Sequence, residues 1–507
     1  MSVPPVISPL SESEQIEQLK KQLQWAELKI QVLEERLRLQ LIAKYGPASE
    51  KLNDAQLELL EREPGVSSVE VQGESEREPL PTAANRKRRP HPGRQTLPPE
   101  LPRVERVIGC APEQGACQAC GQAMAVIGYE QSEQLDVEPA RYFVVVTKRE
   151  KRACPSCGDG GVAGAPLPAR IIDKSLVSDR VVIDTVVAKY SDHLPLYRQS
   201  AILEREAGIE ISRATLDGWV MKVGELLAPI AAVMGRELIA GSYIQADETP
   251  VDVQMHDGRG KNQQAWLWQY GKPGSSVVFD FRLGRGREGP KRFLGQFEGI
   301  LQSDGYAAYE QVGGPKMVHA GCWAHSRRNF FEALKLHPGD RVATRIVARI
   351  DELFAIDAQA RTENLDQARR QALRLDQARP LLDLLKQEIE AARVDALPSS
   401  ALGKAAHYTL ALWRKLTRFL EYPELELSNN LAENSMRPLV LGRKNWIHIG
   451  SQQAGPKVAA ILSLVESCRR LKISARDYLA AVLPGLADLP LHRLKERTPS
   501  AWAASHS

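Results

Sequence analysis

At 507 residues, 43% of them hydrophobic and 26% charged, the chain is too long for one core, and ordinary domain size divides it into roughly three or four units. A net charge of +4 and a pI near 8.6 exclude a strongly basic or acidic polyelectrolyte, so any nucleic-acid signal lies in how charge is distributed. The longest apolar runs, VVIDTVVA and VAAILSLV, are broken by Asp184 and Ser463, far short of the ~20 residues that span a bilayer. MSVPPVISPL lacks the basic start and apolar core of a secretion signal. A cytoplasmic protein with no membrane contact is expected.

Residues 1–60 form the first unit. From Ser11 to about Leu41, Ile16, Leu19, Leu23, Ala26, Ile30, Leu33 and Leu37 recur at spacings of three and four. Such a seam predicts a homotypic coiled coil or a single amphipathic helix packed on its own protein. Gly46 and Pro47 stop it. Residues 61–103, rich in Glu, Pro and Gly, read as a disordered linker. Its first part, residues 61–80, holds six acids, whereas NRKRRPHPGR, residues 85–94, holds five Arg/Lys. Arg86, Lys87, Arg88 and Arg89 are either a solvated charge run or an arm that tracks DNA phosphates.

Residues 104–170 carry the clearest metal signal. Cys117 and Cys120 are separated by 33 residues from Cys154 and Cys157. Each C-x-x-C lets two thiolates from one tight turn reach the same ion, and two such knuckles close a tetrahedral zinc site to water. The alternating segment between them suits a zinc ribbon. One structural zinc is expected, with no chemistry of its own.

Residues 171–236 read as a helical DNA-binding region. HLPLYRQSAILEREAGIEISRATLDGWV offers a helix, Gly208 as the break, Ser212 as N-cap and a second short helix with Leu216, Trp219 and Val220 inward. That is helix-turn-helix spacing, in which Arg213 and Thr215 would face DNA. The same pattern also arises in ordinary helical domains.

Residues 237–337 switch to a period of two. Three strands in hairpins, YIQADETPVDVQ, AWLWQY and SVVFDFRL, are followed by a helical stretch, a fourth strand ending at Asp304, a helix, the short strand KMVHAG and the helix WAHSRRNFFEAL. This is the order of a ribonuclease-H-like core, with the fourth strand parallel to the first. Asp247 lies mid-strand, and its neighbour Glu248 must face the other way. An acid there is costly unless paired or metal-bound, and two carboxylates meeting at one sheet edge call for a cation, for which magnesium suits oxygen ligands. Taken alone, Ser303-Asp304-Gly305 is also ordinary turn chemistry.

Residues 338–426 interrupt this core with helices, one stripe being Ile346, Ile350 and Leu353, the other Leu381, Leu384, Leu385 and Ile389. Residues 427–475 return to it, and 476–507 form a C-terminal tail region. Glu433 has two readings: a capping box with Asn430 and an ion pair with Arg437, or a third carboxylate at the sheet rim.

The stretches KYGPASEKL, DHLPLYRQ, ADETP, SDGY, CWAHSRR and ENSMRPLVLGRKNW, with the zipper and the paired C-x-x-C, together resemble the large transposase of the insertion sequence 66 family of bacterial mobile elements. The resemblance spans nearly the whole chain. It implies a multidomain α+β protein: a ribonuclease-H-like catalytic core with a helical insertion, preceded by a coiled-coil helix, a zinc-ribbon-like module and a helix-turn-helix-like region. It also implies a DDE triad, which falls on Asp247, Asp304 and Glu433. These would hold two catalytic magnesium ions for DNA strand cleavage and transfer. Arg437, Arg443 and Lys444 would clamp end phosphates, and Trp446 would stack on a base or pack in the core. Cys322 and His325 match a C-x-x-H motif, read as structural or DNA-contacting rather than zinc-binding. Transposon ends and target DNA are the implied partners, with a homo-oligomer, two small accessory proteins and a bacterial nucleoid location. A DNA-binding regulator with an inactive core and a structure-specific DNA nuclease are the competing readings.

Overall fold

The computed structural model describes residues 168–506 apart from 174 and 256–261, together with 141–153, 162–164 and stretches within 16–37. Cys117, Cys120, Cys154, Cys157 and the Arg86–Arg89 run lie outside the described residues. Beside the second cysteine pair, β1 (Lys151–Ala153) and β2 (Val162–Gly164) pair antiparallel. The described residues of the N-terminal seam are helical, and Ile16, Leu19, Leu23, Ile30, Leu33 and Leu37 are all exposed. Among the described residues, the seam is not buried against the rest of the chain.

Three helices lead into the core: α1 (Asp179–Tyr190), α2 (Leu196–Ala207) and α3 (Arg213–Ile239). Gly208 ends α2 with φ +67°, the left-handed conformation that glycine adopts without penalty. Ser212 caps α3 by accepting from the Thr215 N–H at 3.1 Å. The structure corrects the expected short second helix, because α3 runs on for 27 residues. Beyond Leu216, Trp219 and Val220, which are buried as expected, its apolar stripe continues through Val223, Leu227, Ile230 and Met234. Long and apolar enough to cross a membrane by length and composition alone, α3 is here a core helix.

The sheet holds β3 (Tyr243–Gln254), β4 (Asn262–Gly271), β5 (Val277–Arg282), β6 (Ile300–Gln302), β7 (Val318–Ala320) and β8 (His448–Ile449). Its order is β5-β4-β3-β6-β7, with β8 also on β3. The first three strands are antiparallel neighbours; β6 joins β3 in parallel and β7 joins β6 in parallel. A short helix, α4 (Glu288–Leu294), makes the crossover to β6.

On one face α3 packs against α11 (Ala454–Arg470). The outer edge of β5 is closed by α11: Ser463 and Ser467 accept from the N–H groups of Phe279 and Val277 at 2.8 and 2.9 Å. That satisfies an edge which would otherwise invite another strand. The tail is folded, with α12 (Ala475–Val482) and α13 (Pro499–His506) meeting through an edge-to-face contact of Tyr478 and Trp502.

A second apolar core belongs to the insertion. It is built by α5 (Trp323–Leu336), α6 (Arg341–Thr362), α7 (Gln367–Leu373), α8 (Arg379–Asp395) and α9 (Ala401–Ala411). The predicted stripe of Ile346, Ile350 and Leu353 is buried, as are Leu381, Leu385 and Ile389, but Leu384 is exposed. Leu381, Leu385 and Ile389 already form a stripe at four-residue spacing, and Leu384 falls on its rim. The chain returns to the sheet as α10 (Asn430–Trp446), which packs on β3 and β4.

Candidate active site

Asp247 sits in β3, where the ladder pairs Gln245 with Gln302 of β6. Carried two residues further, the same parallel register sets Asp304 opposite Asp247, just past the end of β6. Side chains alternate along a strand, so Gln245 and Asp247 share one face. Asp304 is both a turn residue and a rim acid: its Oδ1 accepts from the Tyr306 N–H at 2.8 Å, which fixes the turn. Gly305 follows with φ +91°, and a Cβ there would lie 2.6 Å from Leu412 Cδ1. Glycine is therefore required both by conformation and by the insertion lying on the turn.

Glu433 reaches this face from the first turn of α10. The helix begins at Asn430 after Asn429, with no side-chain cap bond, so the capping box expected between Asn430 and Glu433 is not formed. Glu433 lies one residue too late in the turn for that geometry. Its carboxylate instead meets two cations of α5, His325 Nε2 at 3.3 Å and Arg328 at 3.2 Å. Burial disfavours its charge, but His325 and Arg328, helped by Arg437, hold it below the usual glutamate range. Burial alone would push His325 down; Cys322 and then Glu433 raise it to about 10. The protonated ring is thereby favoured beside Glu433.

Asp247 has the opposite electrostatics. Burial first, then Glu433, Glu248 and Asp304, drive its pKa well above the aspartate range, opposed by one hydrogen bond from the Glu248 N–H at 2.9 Å. The acids of three separate segments therefore share one electrostatic field. Glu248 is held differently: Arg285 lies 2.8 Å from one oxygen and Tyr309 donates to the other at 2.9 Å. Arg285 is sandwiched between Trp266 and Tyr306, 4.7 and 4.1 Å from the ring centroids.

Below the acids lies a buried amide layer that the sequence pattern did not reveal. The Tyr243 hydroxyl donates to Gln302 Oε1 at 2.5 Å, and Gln245 Nε2 donates to Tyr243, Gln302 and the Ser428 carbonyl at 2.9, 3.1 and 2.9 Å. Gln302 Nε2 donates to the carbonyls of Gly321 and Glu426 at 3.0 and 2.7 Å. Asn429 Nδ2 donates to the Ala246 carbonyl at 3.3 Å. Two strands, the start of α5 and the segment entering α10 are thereby joined one step beneath the carboxylates. The available signal was period two: each glutamine lies two residues before an acid. Gln302→Leu leaves buried carbonyls unpaired, with an expected loss of about 2–4 kcal/mol for two such groups, measured by denaturant unfolding. A loss under about 0.5 kcal/mol would show that the layer carries little.

The donor set is chemically suited to a divalent cation, being carboxylate oxygens around an Asp247 whose own charge is opposed by its neighbours. Among the described residues no three acidic, His or Cys side chains converge tightly enough to hold an ion as they stand. Glu433 is turned toward His325 and Arg328.

The other predicted residues divide. Arg213 and Thr215 are exposed at the start of α3, and Lys444 is exposed on α10. Arg443 is engaged within the fold, donating to Thr249 Oγ1 at 3.1 Å and to the Pro250 carbonyl. Trp446 packs at the core margin, with Lys189 5.7 Å from its ring. Cys322 is fully buried at the start of α5.

Comparison with known proteins decides the family. Residues 174–457 match the family described as Transposase IS66 family. The chain belongs to that family. Two flanking matches agree: residues 114–158 with a zinc-finger binding domain of transposase IS66 and residues 32–106 with Transposase C of IS166 homeodomain. Relatives of this family member include two uncharacterized proteins of Sinorhizobium fredii. One, y4qI, is 33% identical over 88% of this chain and 84% of its own length; the other, y4hP, is 30% identical over 94% and 88%.

Proposed function

We propose that this IS66 family member is a DDE transposase that cleaves transposon ends and joins them to target DNA, with Asp247, Asp304 and Glu433 as its catalytic acids. The observation that carries the reading is the shared field around Asp247, in which Glu433 and Asp304, distant in sequence, both raise its pKa. The strand order β5-β4-β3-β6-β7 and the parallel β3–β6 pair support a ribonuclease-H-like core, and the zinc-finger match spans both C-x-x-C pairs.

Asp247, Asp304 and Glu433 would hold magnesium, which when bound supplies Lewis-acid activation of the attacking and leaving oxygens. The protein's own part is positioning. The amide layer fixes the strands that bear Asp247 and Asp304, and the Ser428 and Asn429 bonds fix the entry to α10. His325 and Arg328 keep Glu433 ionised, the state in which it would hold a cation. Exposed Arg213, Thr215 and Lys444, with the Arg86–Arg89 arm, suit DNA phosphates.

The test is a labelled DNA carrying the element's ends, incubated with the full chain and magnesium. Cut ends covalently joined to a target plasmid are expected. End binding without cleavage would overturn the reading in favour of a regulator, and cleavage without joining would favour a nuclease.

A further inference from the structure

Beside the Asp304 turn, the helical insertion lines a cavity of about 680 Å³ that is open to solvent, within the roughly 300–1,000 Å³ range of small-ligand sites. The turn contributes to its wall: Gly305 lines it, and the Tyr408 hydroxyl donates to the Asp304 carbonyl at 2.5 Å. Lys404, His407 and Tyr408 recur at three- and four-residue spacing along one face of α9, and Arg393 faces them from the end of α8. No acid lines the cavity. Arg393, Lys404 and His407 are exposed, and among the described residues none has a carboxylate partner. Leu412 and the Tyr408 ring supply an apolar wall. Cations around an aromatic and aliphatic slot complement a phosphate attached to a flat base. The volume admits one nucleotide and is too small for a duplex.

We propose that this cavity receives one unpaired nucleotide of the DNA strand held at the acid cluster, with its base against Tyr408 and Leu412 and its phosphate among Arg393, Lys404 and His407. The proposal rests on the strand-processing reading above, because that reading brings a strand past Asp304. The insertion then acts directly on the DNA, since α9 grips a nucleotide next to the acids and so sets where along the strand they act. Tyr408 links the two sites, its ring lining the cavity while its hydroxyl holds the Asp304 backbone.

The experiment uses the full chain and a single-stranded oligothymidylate in which one base is 5-iodouracil, irradiated and then mapped by mass spectrometry. A crosslink on the α9 peptide containing His407 and Tyr408 is expected. The surface double variant Arg393→Ala/Lys404→Ala should bind this oligonucleotide about tenfold more weakly and a blunt duplex unchanged. A crosslink confined to other parts of the chain, or undiminished binding by the double variant, would overturn the proposal. So would thymidine monophosphate abolishing the crosslink at concentrations that leave oligonucleotide binding intact, which would mark a site for free nucleotide. Asp247→Asn separates the two readings: it should lose strand cleavage and keep the α9 crosslink. Wild-type cleavage with no α9 crosslink defeats the cavity alone, and an α9 crosslink with no cleavage defeats the catalytic reading alone.

Discussion

Asp304→Asn is expected to abolish strand cleavage and joining while leaving the fold and end binding intact. The amide keeps an oxygen that accepts from the Tyr306 N–H, so the turn recorded at 2.8 Å survives, as does the Tyr408 bond to the residue's carbonyl. What is lost is one negative charge from the field on Asp247, which burial, Glu433 and Glu248 still raise. With one of the three proposed cation-holding carboxylates gone, activity should fall on the order of 10⁴-fold or more. Gel analysis of labelled ends, with binding measured on the same DNA, checks both halves. Normal joining by this variant would remove Asp304 from the catalytic set, and lost binding would point to a damaged turn.

The second large effect is expected at Asp357, far from the acids in sequence and chemistry. Its carboxylate, 2% exposed, meets Arg374 at 2.5 Å, Arg370 at 2.9 Å and Arg361 at 3.1 Å. Arg374 is itself 1% exposed and spends its other donors on the carbonyls of Phe419 at 3.1 Å and Leu425 at 2.8 Å. Asp357→Ala would remove the carboxylate that directly pairs this buried guanidinium, costing about 3–5 kcal/mol. The damage should spread, because Arg374 ties down the return path that delivers Glu426, Ser428 and Asn429 to the amide layer. Denaturant unfolding measures the loss, and a change below about 1 kcal/mol would mean that the cluster is only surface-like in strength. The pH dependence has a definite sign. Burial raises the Asp357 pKa, but Arg374, Arg370 and Arg361 outweigh it and leave it lowered. Its contribution is fully present above the unfolded aspartate value, about 3.9, and is lost as pH falls through the lowered folded value. That acid-induced loss should be absent from the variant.

Much of the core was legible residue by residue. Period-two runs located β3, β4 and β5, because a strand that buries one face must alternate. Their turn-rich connections predicted hairpins, and the helical stretch before β6 predicted the parallel crossover. The insertion showed itself through period-four stripes, with Leu384 the misassigned member because four-residue spacing leaves the rim ambiguous. Helix α3 is longer than its motif suggests, since its first turns already satisfy a familiar pattern and its apolar stripe then continues past it.

For the three acids proposed as catalytic the division is sharper. Sequence alone determined that Asp247 lies mid-strand and that Asp304 and Glu433 lie at element ends, because backbone periodicity and turn chemistry are local. Family motifs then paired them. The amino-acid order could not decide whether Glu433 caps its own helix or faces the sheet, since both geometries use nearly the same spacing. Tertiary structure decided it: α5 brings His325 and Arg328 against the carboxylate, and α10 starts one residue too early for a capping box. Nor could local pattern reveal the amide layer or the cavity beside Asp304. Each includes segments more than fifty residues apart, Gln245 with Gln302 in the layer and Gly305 with Tyr408 at the cavity, which only long-range packing brings together.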